Sequence, residues 1–154
     1  MKSVFTGKLL HHPMHPLLAR PFPLLAALLL LASCRTITTY DQAAYEKATA
    51  AKAEALILMD KANDPFSTHQ GEVELVLLTV DKAYEYDRGR ARNNLTVKQW
   101  EVLRNPTGHL FGGFVRRWRE KGSLKPAYIT EKRPDIAEAF DQIIELERGK
   151  PRSN

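Results

Sequence analysis

Few side chains in this 154-residue sequence have the types and spacing that enzyme or metal chemistry requires. His69 and His109 lie far apart, and neither belongs to an HExxH motif or stands beside a cysteine pair that would hold a metal. The chain contains no GxSxG motif and no GxxxxGKS/T phosphate loop. Carboxylates such as Glu72 and Glu74 are two residues apart, so they would not share one face of a helix. The sequence therefore predicts no catalytic residue, no metal site and no cofactor.

The most unusual stretch places several cationic side chains around one tryptophan. These cations are Arg116, Arg117, Arg119 and Lys121, and they surround Trp118. Arginine beside an aromatic residue is a common composition at protein interfaces, and guanidinium groups also bind the phosphates of lipid headgroups. We therefore predict a contact site for a protein partner or an anionic ligand at Arg116, Arg117, Trp118 and Arg119. The alternative is a solvated helix face around a core tryptophan.

Two adjacent glycines, Gly112 and Gly113, precede this cluster within a predicted helix. Glycine inside a helix costs up to about 1 kcal/mol relative to alanine, so its use there needs a reason. One interpretation is that a ligand or a partner helix approaches the backbone closely at this point. The other is tight internal packing around Phe111 and Phe114, which we favour.

A second basic cluster comprises Arg88, Arg90 and Arg92. It follows a predicted helix, and the carbonyl groups at a helix end favour positive charge. The helix end is therefore a sufficient explanation for this cluster. If both basic clusters faced the same way, they would form one anion-binding patch.

The first 33 residues form a segment in three parts. Lys2, Lys8 and Arg20 lie in a part without any acidic residue, an uninterrupted apolar run covers residues 24–31, and two small residues follow. This order is typical of a secretory signal peptide. The apolar run is too short for a transmembrane helix, which needs about 20 residues.

The end of this segment, Leu31-Ala32-Ser33-Cys34, contains the only cysteine of the chain. It resembles the lipobox of bacterial lipoproteins, which has an aliphatic residue, two small residues and a cysteine. The resemblance implies that Cys34 carries a diacylglyceryl thioether and becomes the first residue after cleavage. Arg35 stands where an aspartate would retain such a lipoprotein at the inner membrane. We therefore expect the protein to be anchored in the periplasmic leaflet of the outer membrane.

The charge balance changes once the predicted signal peptide is set aside. Three of the 23 Lys and Arg residues lie in residues 1–33, whereas all 18 Asp and Glu residues follow them. The remaining chain therefore has a net charge of +2 instead of the +5 of the whole sequence. Such a small excess does not indicate a nucleic-acid partner.

Amphipathic helical periodicity recurs along the rest of the chain. The predicted helices cover residues 41–63, 67–87, 96–104, 110–121 and 126–147. Capping boxes are expected at Ser67 with Gln70 and at Thr96 with Gln99. Pro134 either kinks the last helix or begins a new one. The fold class is all-α, a small irregular bundle of four or five helices.

The predicted organisation is a signal peptide at 1–33, a lipidated N-terminus and short linker at 34–39, one helical domain at 40–149 and a tail at 150–154. These features predict a lipid-anchored envelope protein that acts as a non-enzymatic binding or assembly module near the outer membrane. Its expected partners are the membrane, through Cys34, and an envelope protein or an anionic lipid or cell-wall component. The alternatives are an envelope enzyme acting on peptidoglycan or lipid, and an inhibitor or immunity-like periplasmic lipoprotein.

Overall fold

The computed structural model describes residues 37–153, so the predicted signal peptide and Cys34 lie outside the described residues. Within that range the chain forms five α-helices and no strand. The helices are α1 (Gln42–Asp60), α2 (Phe66–Arg88), α3 (Asn94–Arg104), α4 (Phe111–Lys121) and α5 (Pro126–Arg148). This arrangement confirms the predicted small all-α bundle. None of these helices is both long and apolar enough to cross a bilayer.

The core is assembled from one alanine-rich helix and several aromatic side chains. Helix α1 packs against α2 and α5, while α3 contacts α2, α4 and α5. The buried alanines of α1 let its neighbours approach closely; they are Ala44, Ala48, Ala51 and Ala55. The other helices fill the remaining space with large rings, of which the most deeply buried are Trp100, Phe111, Phe114, Trp118 and Phe140. Burial of these rings, together with the aliphatic side chains of the core, stabilises the fold.

Most helix ends lie where their residue types predict. Helix α1 begins after Asp41, whose carboxylate accepts a hydrogen bond from the Ala44 backbone N–H at 3.0 Å. Gly89 and Gly149 follow the last residues of α2 and α5. Gly122 ends α4 with a φ of +76°, a left-handed conformation that favours glycine.

Both predicted capping boxes are wrong, because α2 and α3 begin earlier than predicted and lack a side-chain cap. Helix α2 begins right after Pro65, where the Phe66 backbone N–H donates to the Gly122 carbonyl oxygen at 2.6 Å. Helix α3 begins after Asn93, whose side chain is engaged in the core, and Thr96 is buried. Tertiary contacts, which the local sequence does not encode, set both starts.

Contacts of the folded domain extend into the residues assigned to linker and tail. The Thr38 backbone N–H donates to the Arg92 carbonyl oxygen at 3.3 Å, and that of Tyr40 donates to Pro151 at 2.9 Å. Lys150 is only 4% exposed. The chain is therefore held to the domain from at least residue 38. Pro134 lies inside α5, which is a single helix.

Candidate functional site

Helix α4 positions the cationic residues that the sequence singles out. Its apolar side chains recur at helical spacing and are buried; they are Phe111, Phe114, Val115 and Trp118. The intervening Arg116, Arg117 and Arg119 are exposed as a result. This alternation follows from the 3.6-residue period of the helix, so the predicted basic face of α4 exists.

Trp118 does not belong to that exposed face. The ring is fully buried, its Nε1–H donates to the Asp64 carbonyl oxygen at 3.0 Å, and it meets Phe66 edge-on at 5.4 Å. A side chain without exposed surface cannot contact a partner directly. The prediction that Trp118 is a contact residue is therefore wrong, and the alternative of a core tryptophan is correct for this residue.

The side chains of the three arginines of α4 make different contacts. Arg116 donates through Nε to the Pro106 carbonyl oxygen at 2.6 Å and pairs with Glu120 at 3.1 Å. Arg117 lies over the Tyr128 ring, 4.6 Å from its centroid. Arg119 lies 5.3 Å from the centroid of the Phe66 ring. Arg116 and Arg117 share one pocket, whereas Arg119 lines a different one with Arg116.

We call the pocket that Arg116 and Arg117 share the basic pocket. It has a volume of about 260 Å³ and lies between α4, the loop before it and the first turns of α5. Its charged and aromatic lining residues are Arg116, Arg117, Glu120, Lys121, Tyr128 and Lys132, with His109 from the loop. An adjoining hollow of about 390 Å³ shares Arg117, Lys121 and Tyr128 and adds Lys125. The two hollows together form a cationic surface along α4.

The charges of the basic pocket are only partly compensated. Arg116 pairs with Glu120, and Lys132 pairs with Glu131, which lies outside the lining, at 3.1 Å. Arg117 and Lys121 have no anionic partner within residues 37–153. Two uncompensated cations in one pocket create a positive potential that attracts phosphate and carboxylate groups.

The two glycines of α4 hold the loop that forms one wall of this pocket. A Cβ atom on Gly113 would overlap the carbonyl oxygen of Gly108, and one on Gly112 would overlap that of Arg104. The close approach is therefore internal, as favoured from the sequence, and no ligand or partner helix is needed to explain it. It keeps His109, in the same loop, at the edge of the basic pocket.

The two histidines occupy separate places. His69 lies between Asp64 and Glu72, with nitrogen–oxygen distances of 3.2 Å and 3.3 Å, and packs against Trp118. His109 is exposed at the pocket edge. Within the part of the chain that the structure describes, no three His, Cys, Asp or Glu side chains come together as a metal site would require.

A buried network of charged side chains was not predicted from the sequence. Glu147, only 1% exposed, accepts hydrogen bonds from Arg90 at 2.7 Å and 3.1 Å, from the Asp41 backbone N–H at 2.7 Å, and from Lys150. Asp87 accepts from Arg90 at 3.0 Å. We call Asp87, Arg90, Glu147 and Lys150 the buried ion cluster.

The buried ion cluster corrects the interpretation of the second basic cluster. Arg90 is not a solvated helix-end charge, because it lies past the end of α2 and binds two buried carboxylates. It is consequently unavailable for a surface patch with α4. Each of the two carboxylates lies at a helix position where the spacing of the buried apolar residues predicts another apolar side chain. Asp87 follows Tyr84 in this way, and Glu147 follows Ile143. That position was the only sequence signal for the cluster.

The electrostatics of the cluster indicate a structural role. Burial acts to raise the pKa of the Glu147 carboxyl, but hydrogen bonds from Arg90 and Lys150 outweigh it and hold that pKa below its ordinary value. Asn93 and Trp100 donate to Asp87 at 2.8 Å and 2.7 Å. No buried side-chain nitrogen or oxygen within residues 37–153 lacks a hydrogen-bond partner. The cluster therefore has no free group with which to bind a ligand.

Comparisons of the chain with protein-family models, with curated proteins and with solved structures find no match. The basic pocket and the sequence features that precede the domain are therefore the observations from which a function can be inferred.

Proposed function

We propose that this chain is a lipid-anchored, non-enzymatic binding module of the bacterial envelope, and that the basic pocket binds an anionic group of its partner. The observation that carries the proposal is the pair Arg117 and Lys121, neither of which has an anionic partner among the described residues. An anionic ligand would compensate both charges at once. The partner is an envelope protein or another anionic envelope component.

Tyr128 prepares Arg117 for this role. The guanidinium lies over the ring at 4.6 Å, which orients its plane without neutralising its charge. Its N–H groups thus stay free to donate to a phosphate or carboxylate in a bidentate manner. Lys121 lies one helical turn further along α4 and lines the same pocket. Its ammonium group, at the end of a flexible side chain, adds a second positive charge for an anionic ligand.

The anchor in this proposal depends on the sequence. Leu31-Ala32-Ser33-Cys34 resembles a lipobox, and two or three acyl chains on one cysteine bind a membrane firmly where a single chain binds only marginally. Arg35 stands where an aspartate would retain such a lipoprotein at the inner membrane, so we propose that the protein is anchored in the outer membrane. The segment between Cys34 and Thr38, where hydrogen bonding to the domain begins, spans about 14 Å at most. We therefore place the domain close to the bilayer surface.

A double variant tests the pocket in the purified lipidated protein in non-ionic detergent. Arg117→Ala with Lys121→Ala is expected to weaken the binding of inorganic pyrophosphate about tenfold or more, since each lost charge-assisted hydrogen bond contributes about 1.5–3 kcal/mol. Calorimetric titration measures the affinity. The matched control, Arg88→Ala with Lys98→Ala, removes the same charge from exposed positions outside the pocket. Equal affinities for both double variants would contradict the proposal.

A further inference from the structure

An apolar groove lies beside the start of the folded domain, at the end of α5 that is remote from the basic pocket. It has a volume of about 460 Å³, and its apolar lining residues are Ile37, Leu95 and Leu146. Ile37 and Leu95 are 40% and 54% exposed. Large aliphatic side chains at these levels of exposure leave apolar surface in water, which is unfavourable unless another apolar surface covers it.

The chain itself indicates what lies next to this groove. Ile37 is the third residue after Cys34, and three residues of chain span at most about 11 Å. The neighbouring backbone is held in place, because the Thr38 N–H donates to Arg92 and the Tyr40 N–H donates to Pro151. A lipid on Cys34 would therefore bring the groove to the bilayer surface.

The charges around this end of the domain fit a phospholipid surface. Arg92 and Arg152 are exposed next to the N-terminal segment, and Arg152 lies 5.1 Å from the centroid of the Tyr40 ring. Among the described residues that line the groove, Glu145 is the only acidic one, and Arg148 pairs with it at 2.6 Å. An apolar surface with arginines at the adjacent chain segment matches the boundary between acyl chains and phosphate headgroups.

We propose that the apolar groove docks on the phospholipid bilayer, with Ile37, Leu95 and Leu146 in contact with the boundary between headgroups and acyl chains. The inference rests on the lipid anchor of the proposed function. Tyr128 in the basic pocket and Leu146 in the groove are 18 positions apart on α5, which corresponds to about 27 Å along the helix. The two sites are therefore separate, and loss of one leaves the other intact.

Fluorophores on single cysteines test the groove in the lipidated full chain, reconstituted into vesicles of phosphatidylethanolamine, phosphatidylglycerol and a nitroxide-labelled phospholipid. Leu95→Cys and Leu146→Cys are expected to carry fluorophores that the nitroxide quenches about twofold or more, since interfacial side chains lie about 5–10 Å deep. The matched control is Leu75→Cys, because Leu75 is 66% exposed on α2 and lies outside the groove.

The lipid on Cys34 is verified by mass spectrometry on the same samples. With Cys34 acylated, equal quenching at positions 95 and 75, or none at 95, overturns the groove proposal and leaves the anchor intact. An unmodified Cys34 overturns both the anchor and the groove proposal. Pyrophosphate binding by the basic pocket is measured independently of either result.

Discussion

Replacement of Glu147 by alanine is expected to lower the free energy of unfolding by about 3–5 kcal/mol. The carboxylate binds Arg90, Lys150 and the Asp41 backbone N–H, and it is almost completely buried. Its removal leaves Lys150 without a carboxylate in the domain interior and leaves Arg90 with Asp87 alone, and the cost of an uncompensated buried charge is large. Urea denaturation followed by circular dichroism measures the change.

Glu145→Ala is the matched control for this prediction. Glu145 lies in the same helix and forms an ion pair with Arg148, but both side chains are more than half exposed. A surface pair of this kind contributes at most about 1 kcal/mol. A similar loss of stability in both variants would show that the buried ion cluster does not have the structural role assigned to it.

The same cluster should make the domain sensitive to acid. The pKa values of Glu147 and Asp41 both lie below their ordinary values because hydrogen bonds to the charged carboxylates outweigh the effect of burial. Their contribution to stability is therefore complete above the ordinary pKa values, 4.5 for the glutamate and 3.8 for the aspartate, and is lost as the pH falls below them. Urea midpoints measured across this range should decline more gently in Glu147→Gln. Parallel curves for the two proteins would refute this assignment.

The second large effect is expected at a glycine of α4. Gly113→Ala should destabilise the domain by about 3 kcal/mol or more, because the added Cβ overlaps the backbone carbonyl oxygen of Gly108 and the loop must move. The shifted loop carries Thr107 and His109, which line the basic pocket. Thermal and urea denaturation measure the stability loss, and pyrophosphate titration at low temperature reports on the pocket.

Gly71→Ala provides the comparison for this substitution. Gly71 lies in α2, and a Cβ there would meet no atom within 4 Å. Alanine has a higher helix propensity, so this variant should be unchanged or more stable by up to about 1 kcal/mol. If Gly113→Ala were tolerated as well as Gly71→Ala, the close approach of the loop to α4 would be refuted.

Local patterns predicted the helices because each helix carries its own periodic signal. The spacing of Phe111, Phe114 and Trp118 places α4 and its inward face correctly, and Gly89 and Gly122 mark helix ends. The basic face of α4 follows from the same spacing. What the pattern could not decide is which side chains of that face share a pocket, because this depends on how α5 and the preceding loop pack against α4.

The features that sequence reasoning missed depend on residues far apart in the chain. Arg90 and Glu147 are bonded although 57 positions separate them, and nothing in the local sequence of Arg90 distinguishes it from exposed Arg88. The start of α2 depends similarly on a hydrogen bond from Phe66 to Gly122. Patterns over one or two helical turns do not contain such contacts.

Photo-cross-linking in intact bacterial cells tests whether the basic pocket contacts an anionic partner in the envelope. A photo-reactive amino acid in place of Thr107, which is exposed and lines the basic pocket, leaves Arg117 and Lys121 unchanged. The control position is Ala53, exposed on α1 and outside the pocket. Mass spectrometry identifies the adduct and, in the same sample, the lipid on Cys34.

We expect a discrete adduct to an envelope component at position 107, none at position 53, and an acylated Cys34. The adduct should disappear with Arg117→Ala and Lys121→Ala and persist with Arg88→Ala and Lys98→Ala. An adduct that survives loss of the two pocket cations, or the absence of any adduct specific to position 107, would contradict anion binding by the basic pocket. An unmodified Cys34 would contradict the lipid anchor.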